Sequence, residues 1–229
     1  MAIVGIDKLS LLDYEDKVSV VLFSQACNFR CPFCHNGDSV LNAQTEINFA
    51  EILDFLKSRK GLVDAVVFSG GEPTLEPDLE VKIKAVKSLG FLIKLDTNGT
   101  NPELLEKLLD QGLIDYVAMD IKNSPSLYAQ TSGVKNVNLD HIRNSNSLIM
   151  NKAPDYEVRT TIVKEFHEHM DYDTFFELIK GAKRLFLQKF VDREGCIIKG
   201  LHDVDELEAT KLRDFLLSKG LSDVSLRGY

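Results

Sequence analysis

Three of the chain's four cysteines, Cys27, Cys31 and Cys34, fall within one stretch of eight residues. A disulfide framework would spread its cysteines along the chain, so C-x3-C-x2-C clustering points to metal or redox chemistry. Three thiolates from one loop can hold a [4Fe–4S] cube and leave its fourth iron open to an outside ligand. The same loop admits a structural zinc, with His35 as a fourth ligand. Cys31-Pro32-Phe33-Cys34-His35 also spells a haem-attachment motif, which needs export and leaves Cys27 idle, and a dithiol pair likewise leaves one thiolate unexplained. Cys196, the remaining cysteine, cannot ligate a second cube and is expected to be a buried or incidental thiol.

Other residues capable of chemistry are scattered. Gly70-Gly71-Glu72-Pro73 can be a plain turn, or glycines that admit a ligand to the backbone beside a carboxylate for an ammonium group. Asp96-Thr97-Asn98-Gly99 contains a common Asn-Gly turn, while an Asp at a strand end can bind ribose hydroxyls. Lys122 beside Asp120 is either a surface pair or a cation aimed at a carboxylate. Arg159 lies in an otherwise apolar strand and needs an anionic or dipolar partner. His167-Glu168-His169 follows a strand and is expected to be a solvated turn rather than a metal pair. His141 and His202 suggest no role, and the acidic side chains of the helix opened by Asp205 suggest a wet face.

The elements that must position these residues alternate strand and helix. Short β-branched or aromatic runs predict strands at 18–23, 64–68, 91–95, 115–119, 157–163 and 184–190, with a further short one at 223–226. Asn48 with Glu51, Asn101 with Pro102, and Asp205 supply helix starts, and Gly220 a stop. Strands joined through helices run parallel with right-handed crossovers, and six such units in 229 residues fall short of a full eight-fold barrel. The expected fold is therefore α/β, a partial (β/α)6 barrel with mostly parallel strands, occupying 1–229 as one domain. An open doubly wound sheet is the alternative. Each polar cluster follows the C-terminal end of a predicted strand, the face on which parallel α/β folds build their sites.

Composition narrows the function. Apolar residues make up 44% and charged residues 27%, a balance that forms a core rather than disorder. A formal net charge of −8 argues against non-specific nucleic-acid binding and against attraction to anionic lipid. No apolar run is long enough to span a membrane, and the first twelve residues lack a basic segment and carry Asp7. No signal peptide is expected, and a cytoplasmic location is.

Taken together, the residues 27–34 and the Gly70–Pro73 segment resemble the signature of the radical S-adenosylmethionine (SAM) superfamily. More closely, segments 9–14, 31–36, 95–100, 118–122 and 156–161 resemble the activating enzymes of glycyl-radical proteins, above all that of the anaerobic (class III) ribonucleoside-triphosphate reductase. After Asp13-Tyr14 such sequences usually continue Pro-Gly, where this chain has Glu15-Asp16.

The resemblance implies that Cys27, Cys31 and Cys34 hold a [4Fe–4S] cluster whose open iron is chelated by SAM. It implies Phe33 near the adenine, and Gly70, Gly71 and Glu72 at the methionine ammonium. Asp96 would lie near the ribose, Lys122 near the methionine carboxylate, and Arg159 in the same cavity. Similarity to the pyruvate formate-lyase activase adds a monovalent-cation site at Asp96, Thr97 and Asp120. An electron from flavodoxin or ferredoxin would cleave SAM, and the resulting radical would act on a glycine of the partner protein. Competing expectations are an activase of the pyruvate formate-lyase type, a small-molecule enzyme such as a 7-carboxy-7-deazaguanine synthase, and a non-enzymatic zinc or Fe–S module.

Overall fold

Seven of the eight strands carry the β-branched and aromatic runs that the sequence marks, and they line up in chain order. A computed structural model describes residues 2–229. The strands are β1 (Ile3–Ser10), β2 (Ser19–Ser24), β3 (Ala65–Gly70), β4 (Leu92–Thr97), β5 (Tyr116–Asp120), β6 (Tyr156–Ile162), β7 (Leu185–Lys189) and β8 (Val224–Arg227). They form one sheet in the order β1 to β8, in which β1 is antiparallel to β2 and every later neighbour is parallel. The two outer strands, β1 and β8, do not pair with each other, so the barrel stays open on one side. The expected partial barrel is present. The strand that sequence periodicity does not mark is β1, whose IVGIDKLS interrupts its apolar residues with Gly5, Asp7 and Lys8.

Nine helices among the described residues connect the strands: α1 (Gly37–Leu41), α2 (Phe49–Ser58), α3 (Leu79–Ser88), α4 (Pro102–Asp110), α5 (Tyr128–Thr131), α6 (Leu139–Lys152), α7 (Lys164–His167), α8 (Tyr172–Ile179) and α9 (Glu206–Ser218). Their starts follow the capping chemistry. Asn48 accepts from Ala50 N–H, Asn101 from Leu104 N–H ahead of Pro102, and Asp205 from Glu208 N–H. None of these helices is long and apolar enough to cross a membrane. Apolar faces of the helices pack on the outer side of the sheet, where Leu56, Ile83, Leu105, Ile149, Phe175 and Leu216 join strand residues such as Val66, Ile93 and Val158. Asp16 is the one non-glycine among the described residues with a positive φ, 58°. Asp tolerates the left-handed region better than most side chains.

The inner side of the sheet differs. A small apolar cluster of Tyr14, Val21, Ala65, Val67, Tyr116 and Ala118 fills part of it. The rest is charged. Glu157 of β6, 2% exposed, meets Arg227 of β8 at 3.0 Å, Lys94 of β4 at 3.6 Å and Arg159 at 3.7 Å, and accepts a hydrogen bond from the Tyr116 hydroxyl. The Lys94 and Arg227 contacts join strands two apart, and the group lies beneath the mouth of the barrel. Burial alone would raise the Glu157 pKa, but Arg159, Lys94 and Arg227 outweigh it and hold it below the ordinary glutamate value.

Because Glu157 titrates lower in the folded chain, the stability it lends is complete above the ordinary value of 4.5. That stability is lost as pH falls through the lowered folded value. Removing this carboxylate takes from Arg227 the one carboxylate it pairs with among the described residues and weakens the compensation of Lys94 and Arg159. Glu157→Gln is therefore expected to cost about 3 kcal/mol in urea unfolding at pH 7. The difference from wild type should shrink in the same measurement repeated well below pH 4.5.

Candidate functional site

The cysteine loop runs from the end of β2 to α1 with little regular structure of its own, so neighbouring loops must fix it. Backbone bonds reach it from three directions. Gly71 N–H donates to Ser24 O and Glu72 N–H to Ala26 O, Arg30 N–H donates to Ser132 O after α5, and Ile198 N–H donates to Pro32 O. The exit of the loop is tied by Gly37 N–H to Gly195 O and by Asn36 Nδ2 to Gly70 O at 2.8 Å. The two glycines at the end of β3 are needed for this contact. Gly70 has φ +100°, and a Cβ on Gly71 would lie 2.1 Å from the Ala26 carbonyl oxygen. What approaches these glycines is thus the chain's own backbone, although both also line the cavity described next.

At the C-terminal ends of β2 to β6 a cavity of about 220 Å³ opens. Its walls include Cys27, Cys31, Cys34, Phe33, Gly70, Gly71, Asp96, Thr97, Asp120, Lys122 and Arg159, which are scattered over 133 positions of sequence. All four cysteines are free thiols. Burial pushes Cys27 up to about 12 and Cys31 up to about 11, with the Phe29 N–H and the Lys122 ammonium respectively pulling back, and raises Cys34 as well. Binding a metal centre would therefore release these protons.

Opposite the thiols lies a chain of ion pairs. In register across β5 and β6, Asp120 faces Arg159. Asp120 Oδ1 accepts from Arg159 Nε at 2.9 Å and Oδ2 from Lys122 Nζ at 3.1 Å. Burial opposes ionisation of Asp120, yet the two cations win and hold its pKa at about 2. Lys122 is penalised by burial, and Asp120 and Cys31 together still keep it protonated well beyond the usual lysine range. Asp96 accepts from the Ser69 hydroxyl at 2.8 Å and lies 3.5 Å from Arg159 Nη1. Its Oδ1, the oxygen that faces Arg159, is buried and accepts no hydrogen bond.

Two expectations from sequence need correction. Glu72 is 1% exposed and is absent from the cavity wall. Its carboxylate accepts four hydrogen bonds, from Thr74 N–H, the Thr74 and Thr97 hydroxyls and Asn98 N–H, so it braces the loops after β3 and β4 rather than facing an ammonium group. Nor do Asp96, Thr97 and Asp120 assemble as a cation site. The Thr97 hydroxyl is spent on Glu72, both Asp120 oxygens are taken, and the Arg159 guanidinium already stands between the two aspartates.

The histidines sort themselves by contact. His35 stacks on Phe190 at 5.9 Å, with its Nε2 2.9 Å from Val191 O, which makes it part of the wall. Among the described residues no set of three His, Cys, Asp or Glu side chains is spaced for a single metal ion. A cube asks for something different, because each thiolate binds its own iron; three free thiols on one cavity beside a lysine fit it. His167 is buried, not solvated. Its Nδ1 accepts from Val163 N–H at 3.0 Å and its Nε2 donates to Lys122 O at 3.0 Å, which anchors the backbone that carries Lys122. His169 is exposed, as expected. Cys196 is buried, as expected, and its sulfur is 3.9 Å from Phe33 O.

Similarity to known proteins agrees with this geometry. A family model described as the radical SAM superfamily matches residues 21–181. A Methanocaldococcus jannaschii protein, provisionally named as a glycyl-radical enzyme activating enzyme, is 35% identical over 199 residues, covering 83% of this chain and 80% of that protein. The pyruvate formate-lyase-activating enzyme of Clostridium pasteurianum is 33% identical over 125 residues, 52% of this chain and 51% of that one. Among solved structures, a domain of pyruvate-formate lyase-activating enzyme from Bacteroides vulgatus superimposes with a TM-score of 0.56 at 19% identity, covering 72% of this chain and 99% of that domain. That last likeness concerns the fold.

Gly71→Ala tests the packing of the cysteine loop. A methyl group 2.1 Å from Ala26 O must push the loops apart, so we expect a loss of about 1–3 kcal/mol in thermal or urea unfolding. Iron uptake on anaerobic reconstitution should fall in parallel.

Proposed function

The chain belongs to the radical SAM superfamily, whose members use a [4Fe–4S] cluster and SAM, and from that premise we propose that it is a glycyl-radical activating enzyme. The partner we assign is a glycyl-radical enzyme of the anaerobic ribonucleoside-triphosphate reductase class, with flavodoxin or ferredoxin as electron donor. Residues 1–229 would act as one radical SAM domain. The observation that carries this reading is the meeting of three free thiols with Lys122, Arg159 and Asp96 on one cavity. Relatedness to activating enzymes over most of the chain supports the choice of a protein substrate.

Bound together, the cluster and SAM supply a one-electron reductive cleavage that yields methionine and a 5′-deoxyadenosyl radical able to take a hydrogen atom from a glycine Cα. The chain's own side chains bind and orient. Cys27, Cys31 and Cys34 would hold the cluster. Lys122, kept protonated by Asp120, offers a fixed cation to the methionine carboxylate. Asp96, on the cavity wall, would offer its carboxylate to a ribose hydroxyl. Phe33, packed against Phe166 and Phe190 at 5.9 and 6.4 Å, gives the adenine an apolar wall and keeps water from that side. The side left open between β1 and β8 provides a route for a segment of the partner.

Anaerobic reconstitution with iron and sulfide, followed by reduction and SAM, should give 5′-deoxyadenosine that disappears in Cys31→Ala. Added partner should then carry a persistent glycyl radical in its EPR spectrum. Steady turnover of a small metabolite, with no protein-borne radical on any glycyl-radical enzyme supplied, would contradict the activase reading.

A further inference from the structure

Asn98 has a job beyond making a turn. Its side chain closes a three-membered ring of hydrogen bonds: Asn98 Nδ2 donates to Asn28 Oδ1 at 2.8 Å, Asn28 Nδ2 to Thr100 Oγ1 at 2.8 Å, and Thr100 Oγ1 to Asn98 Oδ1 at 2.7 Å. Thr100 N–H also donates to Asn98 Oδ1 at 3.1 Å. A backbone N–H can only donate, so the amide is held with its oxygen towards Thr100 and its NH2 towards the cysteine loop. There the same Nδ2 lies 3.9 Å from Cys27 Sγ, within hydrogen-bonding range for sulfur. Phe29 N–H reaches that sulfur as well, at 3.3 Å.

This donor is fixed and dry. Asn98 is 6% exposed, and its own N–H is anchored at 2.6 Å on Glu72 Oε2. Among the described residues, Cys27 is the one member of the thiol trio that receives a side-chain donor. A hydrogen bond to a cluster sulfur stabilises the reduced, more negative state more than the oxidised state, and so raises the reduction potential. Building on the cluster reading above, we infer that Asn98 is a positioning residue whose amide donates to the Cys27 thiolate and makes the cluster easier to reduce.

The test is an anaerobic redox titration of the loaded protein, followed by EPR of the reduced cluster, without SAM or partner. Asn98→Asp keeps the shape, replaces the donor with an acceptor and adds a negative charge that pushes the potential the same way. At a given applied potential its reduced-to-oxidised ratio should fall at least tenfold, a negative shift of about 59 mV for one electron. Thr100→Val adds no charge and so isolates the hydrogen bond. It keeps the amide but removes one of the two donors that hold its oxygen, and should shift the potential less, in the same direction. An iron-replete Asn98→Asp protein with the wild-type potential would overturn the inference. If Asn98→Asp takes up no iron, Thr100→Val decides: a negative shift supports the role and an unshifted potential refutes it. Wild-type protein that holds no four-iron cluster would overturn the cofactor reading, and this inference with it.

Discussion

The buried carboxylate of Glu72 is the interaction on which the site's geometry rests. Among the described residues it pairs with no cation, and it accepts four hydrogen bonds, two from Thr74 and one each from Thr97 and Asn98. Burial raises its pKa, and those donors pull against the rise. A buried acceptor left without donors would be costly, so the loops after β3 and β4 must stay where they can supply them. Everything nearer the cavity inherits that constraint. Gly70 and Gly71 are pressed onto the backbone at Ser24 and Ala26, and Asn98 is presented to Cys27. The cysteine loop, which has little structure of its own, is shaped by what surrounds it.

Across the cavity a second buried system works by charge. Asp120 is shared between Arg159 and Lys122, Arg159 reaches on to Asp96 and Glu157, and Glu157 gathers Lys94 and Arg227 from deeper in the barrel. Each ion is expensive to bury alone and tolerable in company. The arrangement explains why Lys122 is held as a cation at the mouth. It also explains why a further small cation has no place between Asp96 and Asp120, since a guanidinium is already there. His167 completes the support by holding the Lys122 carbonyl, so the chain fixes both ends of that residue.

Much of this is legible in the amino-acid sequence. The parallel strands show because β2 to β7 carry β-branched or aromatic runs, and the cavity residues show because thiols, paired glycines and lone charges at strand ends are unusual in a core. What stays hidden depends on tertiary contact. β1 is an edge strand broken by Gly5, Asp7 and Lys8, with no clean alternation to betray it. Glu72 belongs to a recognisable motif, but only burial reveals which way its carboxylate turns. His167 reads as solvated because its neighbours Glu168 and His169 are polar, while its own ring is buried between Val163 and Lys122. Segment 191–198, which braces the cysteine loop through Gly195 and Ile198, has no periodicity from which such a role could be inferred.

The central claim is that Cys27, Cys31 and Cys34 hold a four-iron cluster with one iron left for SAM. Its most direct test is the EPR spectrum of the anaerobically reduced protein, recorded before and after adding SAM. The account predicts a [4Fe–4S]⁺ signal whose shape changes when SAM binds, with the change weakened in Asp96→Ala and Lys122→Ala. A cluster signal that ignores saturating SAM in the wild-type protein would contradict it.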